Sequence, residues 1–210
     1  MTRSSLSAQP PAGRTEKRIL GAELPVQFSP DERVRQVTEL GRIVQTIRGG
    51  RLEKIMHNQG TTLDLEKILR LFVQHEVEFL IVGGYAVAFH GHPRFTRDLD
   101  LFYHQTPANA DRIIAAFQGY GFQNLTLTKA DLLLPRLNYK IGFPPNQLDL
   151  NPDVKGLEWD RAAAGAVAGS ILGLPAKFIS FDALIDSKTA AGRPQDLADV
   201  DHLMRSLGEL

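Results

Sequence analysis

The sequence predicts an α+β fold: a small mixed β-sheet flanked by helices and closed by a C-terminal helical pair. Three observations predict it. Short runs at 79–82, 98–102 and 147–150 are continuously apolar or alternate strictly, which is strand behaviour. Between them lie stretches whose apolar residues recur every three or four positions. The last thirty residues read as two helices meeting at Gly192-Arg193, with Pro194 starting the second.

The elements follow in order. Residues 1–29 are rich in Ser, Pro, Gly and charge without lasting periodicity and are expected to be a disordered tail. Residues 30–60 read as an amphipathic helical leader. Val34, Val37, Leu40, Val44 and Ile47 form its stripe, Ser29-Pro30 starts it and Gly49-Gly50 ends it. Such a stripe usually docks on its own domain. The domain itself is expected at 61–210. Leu65, Ile68, Leu69, Phe72 and Val73 share one helical face, with Thr61 and Asp64 as a capping box. Phe79-Leu80-Ile81-Val82 is a buried strand, Gly83-Gly84 breaks it, and 85–89 is a short helix. Asp98-Leu99-Asp100-Leu101-Phe102 is a second strand, and 107–117 a helix with Ile113, Ile114 and Phe117 inward. Residues 137–141 and 147–150 are strands joined by Gly142-Phe143-Pro144-Pro145-Asn146. After a Gly- and Ala-rich stretch, 177–179 is a last short strand. Helices at 181–191 and 194–207 close the chain.

Composition removes several function classes. Of 210 residues, 43% are hydrophobic and 23% charged, a globular balance. Cysteine is absent, which excludes disulfides, thiolate nucleophiles and zinc–cysteine sites. No apolar run is long enough to span a bilayer, and no apolar segment follows the basic start, so a membrane role is not expected and the protein is expected to be cytoplasmic. The first sixty residues carry ten basic and six acidic side chains, leaving the rest of the chain mildly acidic. That balance does not suit tracking of a long duplex, but it leaves room for a short RNA end, a nucleotide or a protein hydroxyl.

The chemistry concentrates in three aspartates on otherwise apolar strands. Asp98 and Asp100 stand two apart, so both carboxylates leave one face of one strand. Like charges placed side by side repel and lose solvation, and a hard divalent cation such as Mg2+ (or Mn2+) resolves the conflict. Asp149, in the alternating Leu148-Asp149-Leu150, is the candidate third carboxylate. Three carboxylates holding metal would activate a hydroxyl and stabilise leaving pyrophosphate. Gly83-Gly84, after a strand and before a helix, lets a triphosphate approach the backbone. Arg97, next to Asp98, is a candidate neutraliser of phosphate charge, and Arg94 a second. Lys188 is a lone cation on the inner half of its helix, suited to a phosphate. Arg193 and Asp196 read as a structural pair at the hinge. His90, His92 and His104 lack a fourth ligand and are not read as a zinc site.

The set Val82-Gly83-Gly84, Asp98-Leu99-Asp100-Leu101 and Leu148-Asp149-Leu150 resembles the signature of the DNA polymerase beta-like nucleotidyltransferase superfamily. Residues 90–97, and the tail from Phe181-Asp182-Ala183-Leu184 through Lys188 to Gly192-Arg193-Pro194-Gln195-Asp196-Leu197-Ala198-Asp199-Val200, are similar to the minimal bacterial members of abortive-infection and toxin–antitoxin systems. The likeness covers about 65–207. It implies the polymerase-beta-like fold, metal on Asp98 and Asp100, and a role for Asp149 in deprotonating the acceptor. It also implies Lys188 on the phosphates of a nucleoside triphosphate such as ATP, and an antitoxin protein as partner. The implied reaction transfers a nucleoside monophosphate to a hydroxyl: an RNA 3′ end, a protein side chain or a small antibiotic. The competing class is a catalytically silent nucleotide- or partner-binding module. One departure is Gly84, where several toxin relatives carry serine.

Overall fold

The computed structural model describes residues 29–32, 34, 63–122 and 127–208. All but Ser29 of the expected tail and nearly all of the helical leader, with Thr61 of the expected capping box, lie outside the described residues. Helix α1 (Leu65–Gln74) is capped by Asp64, whose Oδ1 accepts from the Lys67 amide at 3.0 Å, and it buries Ile68, Leu69 and Phe72. Strand β1 (Phe79–Ile81), helix α2 (Gly83–Phe89) and strand β2 (Asp98–Tyr103) follow. Helix α3 (Pro107–Tyr120) starts on Thr106 with Pro107 in its first turn and ends at Gly121 in the left-handed region. Then come α4 (Lys129–Leu132), β3 (Tyr139–Ile141), β4 (Gln147–Asn151), α5 (Trp159–Ala164), β5 (Val167–Ile171), β6 (Leu174–Phe178), α6 (Phe181–Ala191) and α7 (Pro194–Gly208).

The six strands form one mixed sheet in the order β3-β4-β2-β1-β6-β5. β2 lies parallel to β4 and β1 parallel to β6, whereas the β1–β2, β3–β4 and β5–β6 pairs are antiparallel. The α+β class and the closing helical pair agree with expectation. The central strands carry the core: Leu80, Ile81, Leu99, Leu101, Leu148, Leu150 and Phe178 are all buried. Phe72 packs edge-on against Phe79 and Phe117, fixing α1 and α3 on the sheet, and Phe89 of α2 stacks on Phe178 with ring centroids 4.1 Å apart.

The structure adds elements that the sequence pattern does not announce. The Gly- and Ala-rich stretch holds α5 and edge strand β5, and α4 precedes β3. Helix α2 begins at Gly83 itself rather than at Tyr85, because a glycine accepts the φ of +63° required there. Helix α3 runs on to Tyr120, and the third strand starts at Tyr139 rather than Leu137, whose side chain is exposed. No helix among the described residues is long and apolar enough to cross a membrane.

Candidate active site

In β2 the alternation Asp98-Leu99-Asp100-Leu101 buries both leucines completely, while the two aspartates leave the opposite face. The parallel pairing with β4 sets Asp149 beside Asp100 and Gln147 beside Asp98. As a result one carboxylate oxygen from each of Asp98, Asp100 and Asp149 lies within 4.8 Å of the others. Burial, reinforced by the charges of Asp98 and Asp149, pushes the Asp100 carboxyl up to about 6; a contact from Asn151 Nδ2 at 3.5 Å and the charge of Lys188 work against it.

Asp149 is treated differently. Its Oδ2 accepts from Lys140 Nζ at 2.5 Å and its Oδ1 from Gln147 Nε2 at 2.6 Å. Of the three aspartates it alone forms an ion pair among the described residues. Three hard oxygen donors, two of them lacking a cation and one already driven toward protonation, are a donor set that fits Mg2+ or Mn2+.

The glycines press the first turn of α2 against this cluster. A Cβ on Gly83 would stand 2.1 Å from Asp100 Oδ2. A Cβ on Gly84 would stand 2.5 Å from Thr96 Oγ1 and 2.7 Å from Thr96 Cβ, so the space a serine side chain would need is filled by Thr96. The Thr96 hydroxyl in turn donates to Asp98, lying 3.2 Å from its Oδ1 and 3.3 Å from its main-chain oxygen.

Lys188 stands apart from the surface. Only 6% exposed, its ammonium donates to Asp196 Oδ1 at 2.7 Å and Asp199 Oδ2 at 2.8 Å. Arg94, from the loop before β2, grips both oxygens of Asp199 at 2.6 and 2.8 Å. Arg193 pairs with Asp196, as the hinge reading expected. Burial raises the Asp199 carboxyl, but the hydrogen bonds and charges of Arg94 and Lys188 outweigh it and hold the group at about 2. Arg97 is exposed beside Asp98. The three histidines have separate partners: His90 Nε2 lies 2.7 Å from the Ile179 carbonyl oxygen, His92 stacks on His202, and His104 pairs with Glu78 and stacks on Trp159.

Thr96, Lys140, Gln147 and Asn151 also face the cluster and are not among the sequence-predicted candidates. Gln147 and Asn151 lie two residues either side of Asp149 and share its strand face, so period-two alternation is the signal that flags them. Lys140 is found by folding the hairpin back across the 142–146 turn, which sets it opposite Asp149.

The stretch holding the glycine pair and both β2 aspartates lies within the part of the chain that matches a known family. Residues 67–127 match the family model of the nucleotidyl transferase AbiEii toxin of type IV toxin–antitoxin systems. Over this stretch the chain is similar to the nucleotidyltransferases of abortive-infection and toxin–antitoxin type. No curated protein matches the chain. The AbiEii match runs from within α1 to beyond α3 and holds Gly83, Gly84, Arg94, Thr96, Asp98 and Asp100. Asp149, Lys140 and the helical pair lie beyond it.

Proposed function

We propose that the chain is a metal-dependent nucleotidyltransferase that moves a nucleoside monophosphate from a nucleoside triphosphate to a hydroxyl acceptor, an RNA 3′ end or a protein side chain, and releases pyrophosphate. Its biological setting is that of a toxin-like enzyme in a toxin–antitoxin or phage-defence system, with an antitoxin protein as partner. The reading is carried by one observation: Asp98, Asp100 and Asp149 converge to within 4.8 Å from two parallel neighbouring strands. The AbiEii match over the first two of these aspartates supports the same class.

Asp98, Asp100 and Asp149 would hold Mg2+ or Mn2+, which supplies Lewis-acid polarisation of the phosphate and neutralises its charge when bound. The chain's own groups do the rest. Thr96 orients the Asp98 carboxylate and Asn151 that of Asp100. The side-chain-free backbone at Gly83 and Gly84 admits the nucleotide, and Arg97 supplies a nearby positive charge. Asp149 accepts the proton of the attacking hydroxyl. The acceptor oxygen bonds to the α-phosphorus, the bond to the bridging oxygen of the β-phosphate breaks, and pyrophosphate departs. Positioning and charge stabilisation carry the rate, without a covalent enzyme intermediate.

The test is incubation with labelled nucleoside triphosphates, Mg2+ or Mn2+, and total cellular RNA and protein. Labelled RNA or protein, with stoichiometric pyrophosphate and loss of both in Asp98→Asn and Asp100→Asn, is expected. Triphosphate binding with no transfer to any acceptor would instead make the chain a silent binding module. Label on an added aminoglycoside alone would make it a small-molecule transferase.

A further inference from the structure

The exposed end of a lysine covers the buried carboxylate that the metal site needs. Lys140 sits on edge strand β3, opposite Asp149 in the β3–β4 register, and its side chain is 63% exposed whereas that of Asp149 is 8% exposed. Both Asp149 oxygens are engaged, Oδ2 by the Lys140 ammonium and Oδ1 by the Gln147 amide. A cation that draws on Asp149 therefore meets the Lys140 ammonium at one oxygen and the Gln147 amide at the other. Gln147 is neutral and tied to the same strand two residues away. Lys140 is charged, repelled by an incoming cation, and carried on a flexible stem already reaching into solvent. Its field also acts on Asp98 and Asp100, so it belongs electrostatically to the whole cluster.

Among the other candidate cations, Arg97 stands exposed beside Asp98 on β2's approach, and Arg94 is held by Asp199. Lys188 lies buried between Asp196 and Asp199, and Arg193 is bound to Asp196. From this geometry we propose that Lys140 is an exchangeable counter-ion: it neutralises Asp149 in the metal-free protein, yields that carboxylate to the divalent cation, and then binds the phosphate oxygens of the nucleotide. The inference rests on the metal-dependent reading of the site and adds the residue that receives the phosphates.

Its signature is two affinity changes of opposite sign. Lys140→Met removes the competitor, so the full chain should bind Mn2+ alone about tenfold more tightly by calorimetry. With saturating Mn2+, the same variant should bind inorganic tripolyphosphate about tenfold more weakly, and Lys140→Arg should restore most of that affinity. Tripolyphosphate is the probe because it tests the phosphates without any base preference. If Lys140→Met binds Mn2+ and tripolyphosphate like the wild type, or changes both in one direction, Lys140 is a surface partner of Asp149 only and the inference falls. A wild-type protein that binds no Mn2+ overturns the metal-dependent reading together with it, so the two failures are distinguishable.

Discussion

Asp100→Asn should make the metal-free protein more stable while removing its activity. Asp100 is half-buried and crowded by two like charges, and its carboxyl is raised from 3.8 to about 6, chiefly by loss of solvation. At about 1.4 kcal/mol per pH unit, that gap of roughly two units corresponds to about 3 kcal/mol by which the ionised group is worse off folded than unfolded. The sign follows from proton binding. Between pH 3.8 and about 6 the folded protein holds this proton and the unfolded chain does not, so stability falls as pH rises through that window. Above it the penalty is complete, and below it the penalty is gone. Asparagine keeps the shape and the oxygen facing Asn151 Nδ2, yet carries no charge. In EDTA at pH 8 the variant should gain about 1–3 kcal/mol, a rise in Tm of a few degrees for a domain of this size. At pH 4 the two proteins should melt nearly together. Saturating Mn2+ should narrow or reverse the order, because only the wild type gains the full binding energy. Chemical and thermal unfolding at both pH values measure this directly. An Asp100→Asn variant no more stable than wild type at pH 8 in EDTA would refute the crowded-carboxylate account.

Gly83→Ala should abolish transfer and lower Tm, since its φ of +63° strains any side chain and its Cβ would displace Asp100; unfolding and Mn2+ titration report both losses. Lys188→Met should cost about 3 kcal/mol of stability in the absence of any nucleotide, because it strips a buried ammonium from two buried carboxylates. Wild-type stability with selectively weakened tripolyphosphate binding would instead put Lys188 on the phosphates. Thr96→Val should weaken Mn2+ binding several-fold through Asp98 with little change in Tm, and Thr96→Ser should keep wild-type affinity, as calorimetry of the three proteins would show.

The legible parts of the fold are those where a single strand or helix carries its own pattern. Asp-Leu-Asp-Leu in β2 and Leu-Asp-Leu in β4 betray strands because one face is core and the other is charged, and that same alternation marks the site. Apart from the strand end expected at 177–179, the stretch 159–178 is opaque for a physical reason. β5 is an edge strand of small residues with exposed Val167, so burial imposes no alternation on it. β6 contains Pro175, which argues against a central strand. It is tolerated where β6 pairs with β5, at Ser170, while β1 reaches β6 only at Phe178. Site residues divide along the same line. Asp98, Asp100 and Asp149 announce themselves as charges out of place, whereas Lys140 acquires meaning only through the hairpin register.

Lys188 shows how a charge out of place can have two explanations that sequence cannot separate. A cation on an inward helical face needs anions, and either a substrate or the chain itself can supply them. Here α7 supplies them: Asp196 and Asp199 stand one turn apart and both face α6, and Asp199 also receives Arg94 from the loop leading to Thr96 and Asp98. Withdrawing Lys188 to meet a phosphate would break two buried charge-assisted hydrogen bonds, leaving Asp199 to Arg94 and Asp196 to Arg193, a loss of about 3 kcal/mol or more that substrate binding would have to exceed. The same lattice carries three cations against two carboxylates, and its surplus bears on the acidic cluster: Lys188 draws Asp100 down, and Arg193 feels both Asp100 and Asp98. The helical pair thereby anchors the loop that orients Asp98 and limits how far Asp100 rises. It supports the carboxylates from behind.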